Sequence, residues 1–228
     1  MDTATLVSIN DARKRRQPIA LITEIATGKQ SLATSSDDVE GLLAQEIDSR
    51  FKSGKSAVVD VDGIETFIQV HVPPPRLVVI GAVHISQALV PMALACGFDV
   101  TVIDPRTAFA SEDRFRDVDL IADWPEEILK ERPLDHYTAL VAVTHDPKID
   151  DIPLQQALDT GCFYIGALGS RKTHAKRVSR FAEAGIPDSS ISAIQAPIGM
   201  NIGAANPAEI AVAIMAQIIE SLRKGPAL

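Results

Sequence analysis

From Arg76 onward, short apolar runs alternate with segments of helical periodicity, and this alternation restricts the fold more than any other feature. Leu77–Ile80 (LVVI) is continuously apolar, as a strand buried on both faces must be. Ile85–Cys96 has helical spacing and stops at Gly97, a residue suited to the left-handed position after a helix. Val100–Ile103 reads as the second strand and Asp119–Ala122 as a short third. Pro125–Arg132 reads as a helix, with proline at its first position and acids in its first turn. Thr138–Val143 is a further buried strand, Leu154–Asp159 a helix, Cys162–Ile165 the start of a strand, and Ser170–Ala184 a helix. Asn206–Lys224 is the last helix, with Glu209 placed as in a capping box and Ile210, Ile214, Ile218 and Leu222 on one stripe. Strands that alternate with helices pair in parallel, so the pattern predicts an α/β, doubly wound parallel sheet of Rossmann-like type. Right-handed crossovers bring the loops after the strands to one edge, where ligands of such sheets bind.

The residues before this pattern read differently. Pro73-Pro74-Pro75 continues neither a helix nor a central strand and makes a stiff spacer. It separates a smaller α+β domain, residues 1–72, from the Rossmann-like domain, residues 76–228. In the first part, Leu6–Arg16 reads as a helix, Pro18–Ala26 as a strand, Thr27–Ser36 as a polar loop and Ser36–Lys52 as a helix. Ala57–Val61 and Ile64–Val72 flank Asp62-Gly63, a hairpin signal.

Charge and cysteine usage limit the function. A net charge of −8 argues against a nucleic-acid binder, which needs a basic face. Cys96 and Cys162 lack disulfide or zinc spacing and read as free, buried thiols of a reducing compartment. The first residues carry no apolar signal segment, and no apolar run reaches the roughly 18 residues of a membrane span. The expectation is a cytoplasmic protein.

Four segments fall on the expected binding edge. Gly81-Ala82-Val83-His84 follows LVVI where a Gly-rich dinucleotide turn would stand, with Val83 in place of the second glycine and Ser86 in place of the third. Asp104 ends the second strand about 20 residues on, where a ribose-binding acid is expected, and Arg106 follows it. The turn is either a nucleotide-like pocket or a bend that needs one glycine, and His84 either meets a ligand or caps its helix. Thr144-His145-Asp146 follows TALVAV and reads as an acid–base pair or metal site, or else as an Asx-type turn before Pro147 with His145 filling space. The position on the edge favours a functional role, and the lack of a second histidine at ligand spacing argues against metal. Gly169-Ser170-Arg171-Lys172 opens a helix with two cations in its first turn, where a bound anion would offset the macrodipole. His174, Lys176, Arg177 and Arg180 beyond it read as a solvated basic face. Gly199 and Asn201, in APIGMNIGAAN, belong either to a loop packed over the pocket or to a simple buried connection.

These segments together resemble the XdhC/CoxI family of accessory factors for xanthine dehydrogenase and related molybdenum hydroxylases. The resemblance runs from about Phe67 to Lys224 and rests on PPPRLVVIGAVHISQAL, FDVTVIDPRTAFA, VTHDPKIDD, YIGALGSRKTHAKR and APIGMNIGAANPAEIAVAIMAQII. It implies a C-terminal Rossmann-like domain that binds molybdenum cofactor (molybdopterin or its nucleotide form), protects it during sulfuration and delivers it to an apo-enzyme of the xanthine or CO dehydrogenase type. It also implies a cysteine desulfurase as partner and a homodimer. The site would comprise Gly81, His84, Asp104, Arg106, Thr144, His145, Asp146, Gly169, Ser170, Arg171, Lys172, Gly199 and Asn201, with no catalytic residue and no metal ligand. Two departures stand out. Family members show G-A-G-H at the first turn, and longer members carry a Gly-rich, Cys-containing N-terminal motif; residues 27–36 lack it, and no cysteine precedes Cys96.

Two other classes of function compete with a maturation factor. An NAD(P)-dependent oxidoreductase would need the first-turn glycines, and only Asp104 speaks for it. A non-binding interaction scaffold would keep the fold for shape alone.

Overall fold

The computed structural model describes residues 2–224, which divide into two units with the boundary between Pro73 and Pro74. In the first, α1 (Thr3–Lys14) is capped by Asp2, whose carboxylate accepts the Thr5 N–H at 2.7 Å. It is followed by β1 (Ile19–Glu24), β2 (Gln30–Ala33), α2 (Gly41–Ser53), β3 (Ala57–Val61) and β4 (Ile64–His71). The strands form one antiparallel sheet of order β2-β1-β4-β3. Alternation decides which face each strand residue takes. Ala20, Ile22, Ile68 and Val70 pack with Ile47 of α2, while Ile19 and Leu21 pack with Ile9 and Ala12 of α1. The hairpin at Asp62-Gly63 forms with both residues at positive φ, as its turn type requires.

Two expectations fail here. Residues 30–33 are a strand, not loop: β2 is a half-exposed edge strand held by backbone pairing to β1, so its sequence, QSLA, carries no apolar alternation. The second helix starts at Gly41, not Ser36. Asp38 instead closes a separate short turn at residues 36–38, accepting the N–H groups of Thr34 at 2.6 Å and Ser35 at 3.0 Å.

The second unit runs β5 (Arg76–Ile80), α3 (His84–Ala95), β6 (Asp99–Ile103), β7 (Asp119–Ile121), α4 (Pro125–Glu131), β8 (Thr138–Ala142), α5 (Pro147–Thr160), β9 (Tyr164–Ala167), α6 (Arg171–Glu183), α7 (Asp188–Ile191), β10 (Ile194–Gln195) and α8 (Pro207–Lys224). Its sheet has the order β10-β9-β8-β5-β6-β7, parallel throughout. This is the expected doubly wound Rossmann-like arrangement, wound outward in both directions from β5. Leu77, Val79, Val100, Val102, Ala139 and Val141 face α3 and α8; Val78, Ile80, Leu140, Ala142 and Ile165 face α4, α5 and α6. Burial on both faces is why these strands read as continuous apolar runs.

α5 is longer than the expected Leu154–Asp159. Pro147 stands at its first turn, where a missing N–H costs nothing, and Pro153 inside it removes the bond to the Ile149 carbonyl without ending the helix. Cys96, expected to be buried, is exposed at the end of α3. Among the described residues no helix is long and apolar enough to cross a membrane.

Candidate functional site

The strand order reverses between β5 and β8, and the loops leaving these strands meet there. Gly81, at φ +115°, comes so close to the β8 loop that a Cβ on it would lie 2.7 Å from Thr144 Cγ2. Its N–H donates to the Ile103 carbonyl at 2.8 Å, and its own carbonyl accepts the Ser86 hydroxyl. The strand packing thus requires a glycine here whether or not a ligand binds. Val83 is the residue before α3 and supplies no side-chain cap; His84 opens the helix with its side chain exposed and does not cap it. Arg114, which sequence reasoning missed, ties the turn to the chain after β6. It donates to the carbonyls of Ala82 at 2.9 Å and Phe109 at 2.7 Å and to Gln87 Oε1 at 2.9 Å.

Asp104 is fully buried at the end of β6. Its carboxylate accepts the Ala82 N–H at 2.8 Å, the Arg106 N–H at 2.9 Å, and the Arg106 guanidinium through Nε at 2.9 Å and Nη2 at 2.7 Å. Burial pushes this carboxyl up, but the Arg106 guanidinium and the two backbone donors outweigh it and hold the group below the usual carboxylate range. Arg106 also lies over the Phe109 ring, 4.4 Å from its centre. Asp104 therefore positions Arg106 and the first turn.

Across the switch point, Asp150 organises the β8 loop. It is fully buried; one oxygen accepts the Thr144 hydroxyl at 2.7 Å and the other the His145 N–H at 3.1 Å. Burial raises its carboxyl to about 6 against the pull of Thr144 and Arg177. His145 is held at φ +65° with its side chain exposed, and Asp146 caps α5 by accepting the Lys148 N–H at 3.0 Å. Asp146 and Asp150 both help hold the Arg106 guanidinium protonated, after the larger effect of Asp104. Gly81, Asp104, Arg106, Thr144, His145 and Asp146 are thus gathered at one end of the sheet.

The third segment follows β9. Gly169 takes φ +138°, and Ser170 caps α6 by accepting the Thr173 N–H at 3.2 Å. Arg171 and Lys172 are exposed in the first turn. The remainder of the basic stretch is not simply solvated. Arg177 is only 2% exposed, and its Nε and Nη1 have no hydrogen-bond partner. With His145, Lys172, Lys176 and Arg180 it lines a cavity of about 200 Å³. Positions four apart share a helix face, so the spacing of Lys172, Lys176 and Arg180 was the available signal; the burial of Arg177 against α5 was not visible in it.

The fourth segment lies against α8. Gly199, at φ +89°, sits where a Cβ would be 3.1 Å from the Ala213 Cβ, and its N–H donates to Gln217 Oε1 at 2.8 Å. Asn201 is exposed. Among the described residues no group of three His, Cys, Asp or Glu side chains is placed to hold a metal ion.

A parallel six-stranded sheet with this order and this polar switch point defines a Rossmann-type domain. The chain belongs to a particular family of them: residues 77–218 match the XdhC Rossmann domain. It is 35% identical over 159 residues to a probable xanthine dehydrogenase component of Bacillus subtilis (strain 168), covering 69% of this chain and 46% of that protein. It is 28% identical over 146 residues to the molybdenum cofactor insertion chaperone PaoD of Escherichia coli (strain K12), covering 64% of this chain and 40% of that one. The chain thus spans less than half the length of these curated relatives. A crystal structure of a xanthine dehydrogenase from Bacillus halodurans shares the fold, with a TM-score of 0.65 at 22% identity over 97% of this chain and 64% of that chain.

Proposed function

We propose that the protein is an accessory chaperone of a molybdenum hydroxylase of the xanthine or CO dehydrogenase type, with molybdenum cofactor as its cargo. The observation that carries the reading is the match of residues 77–218 to the XdhC Rossmann domain. The donors present fit such a cargo. A phosphate needs guanidinium and ammonium donors, and the α6 end of the edge offers Lys172, Lys176 and Arg177, with Arg171 exposed at the helix start outside the cavity they line. The pyranopterin would lie along the edge toward His145, His84 and Arg106. Gly81, Asp104, Thr144 and Asp146 fix the loops that carry those side chains, and Gly199 and Asn201 extend the edge beyond β10. On this reading the protein is not an enzyme. It keeps the cargo from water during sulfuration by a cysteine desulfurase, in the cytoplasm and as a homodimer, and hands it to the apo-enzyme.

An NAD(P)-dependent oxidoreductase fits less well. Asp104, which would hold a ribose, already accepts four hydrogen bonds from Ala82 and Arg106. Equilibrium binding of molybdenum cofactor, NAD and NADP to the full chain separates the readings. Binding of the molybdenum cofactor alone, at about micromolar Kd, with faster reconstitution of the apo-hydroxylase, is expected. Binding of NAD or NADP in its place would favour the oxidoreductase, and binding of none of the three an interaction scaffold.

A further inference from the structure

We propose that the cavity on the side of α6 is an oxyanion site, built for a phosphate or diphosphate group by Lys172, Lys176, Arg177 and Arg180, with His145 beside them. This deepens the reading above, on which the identity of the rest of the ligand depends.

Arg177 is the first reason. It is 2% exposed and lines the cavity, yet its Nε and Nη1 make no hydrogen bond. The nearest acid is Asp151, whose Oδ1 stands 3.5 Å from Nε. That carboxylate is already taken by Arg180, through Nε at 2.6 Å and Nη2 at 3.0 Å. Guanidinium donors buried without acceptors are costly, and an anion in the cavity supplies them.

Charge is the second. Lys172 and Lys176 have no carboxylate at ion-pair distance among the described residues, so four cations line the cavity and Asp151 alone pairs with any of them. An anion turns this mutual repulsion into attraction. Arg177 and Arg180 add the planar donor sets that suit phosphate oxygens.

The helix start is the weaker position. Ser170 already takes the Thr173 N–H there, and Arg171 does not line the cavity. Size sets the class of ligand. Pockets that enclose a whole small molecule measure about 300–1,000 Å³, and this one is about 200 Å³. It takes the anionic end of a ligand whose remainder lies outside, toward His145 and the sheet edge.

The test is calorimetric titration of inorganic pyrophosphate into the full chain near physiological ionic strength. One saturable site is expected. The exposed pair Lys172→Ala/Lys176→Ala should weaken it by about tenfold or more, whereas Arg171→Ala should change it less than about threefold. The equally charge-reduced Lys29→Ala/Lys55→Ala variant, altered in the other unit, should bind as the wild type does. No saturable binding overturns the site, as does equal weakening by the two double variants or a larger loss in Arg171→Ala. If pyrophosphate binds as expected but molybdenum cofactor neither binds nor displaces it, the oxyanion site stands and the chaperone reading falls. If the cofactor binds with an affinity indifferent to Lys172 and Lys176, the chaperone reading stands and the site falls.

Discussion

The Thr144 hydroxyl donates to the buried Asp150 carboxylate at 2.7 Å, and the same carboxylate accepts the His145 N–H at 3.1 Å through its other oxygen. Burial lifts the Asp150 carboxyl from 3.8 to about 6. Between those values the native protein holds this proton more tightly than the unfolded chain does. The contribution of Asp150 to stability is therefore greatest below the lower value and declines as pH rises through the upper one. Asp150→Asn removes that decline. Urea unfolding from about pH 4 to about pH 7 should show the variant gaining on the wild type by roughly 2 kcal/mol. A pH-independent difference would mean that the Asp150 carboxyl titrates alike in the native and unfolded chains.

Gly81→Ala should be among the most damaging small substitutions in the second unit. The new methyl would lie 2.7 Å from Thr144 Cγ2, at a φ of +115° that side chains rarely adopt. Strain and overpacking together should cost about 2–4 kcal/mol of unfolding free energy. Thr144→Ser keeps the hydroxyl that Asp150 needs and deletes the clashing methyl. The double variant should recover part of the loss, leaving the backbone strain. Denaturant midpoints of the four proteins in this cycle measure the coupling.

What was legible in the sequence follows from what packs on what. β5, β6 and β8 are covered on both faces, so their apolar runs survive in the sequence, and the doubly wound order follows from their alternation with helices. β2 and β10 escape a pattern-based reading because one is a polar edge strand and the other has two residues. α5 runs further than Leu154–Asp159 because Pro147 fits its first turn and Pro153 costs it only one backbone bond. In the candidate site, Gly81 and Asp104 stood out by position, but their roles differ from a dinucleotide turn: Gly81 makes room for Thr144, and Asp104 anchors Arg106. Arg177 was hidden, since a buried arginine and a solvated one look alike until α5 brings Asp151 against it.

The two thiols should separate cleanly in reactivity. Cys96 is exposed, whereas burial pushes the Cys162 thiol up to about 12. Only the thiolate is nucleophilic. Alkylation of the native protein near neutral pH should modify Cys96 within minutes and leave Cys162 unmodified until the chain is denatured, as peptide mapping by mass spectrometry can follow. Rapid modification of Cys162 in the native protein would show that the chain before β9 leaves this partly buried thiol open to reagent.

Gln217 should matter more to stability than the tyrosine it serves. Its Oε1 accepts both the Tyr164 hydroxyl at 2.7 Å and the Gly199 N–H at 2.8 Å, linking α8 to β9 and to the loop after β10. Tyr164→Phe removes one donor and leaves the acceptor satisfied by Gly199, so it should cost only about 1 kcal/mol. Gln217→Leu instead strands two donors, one of them a backbone N–H, and should cost about 2–4 kcal/mol. Once Gln217 is Leu, the Tyr164 hydroxyl has lost its acceptor, and adding Tyr164→Phe should recover about 1 kcal/mol rather than lose it. Chemical denaturation of the single and double variants reads the sign of that second step, and a further loss would show that the hydroxyl finds another acceptor.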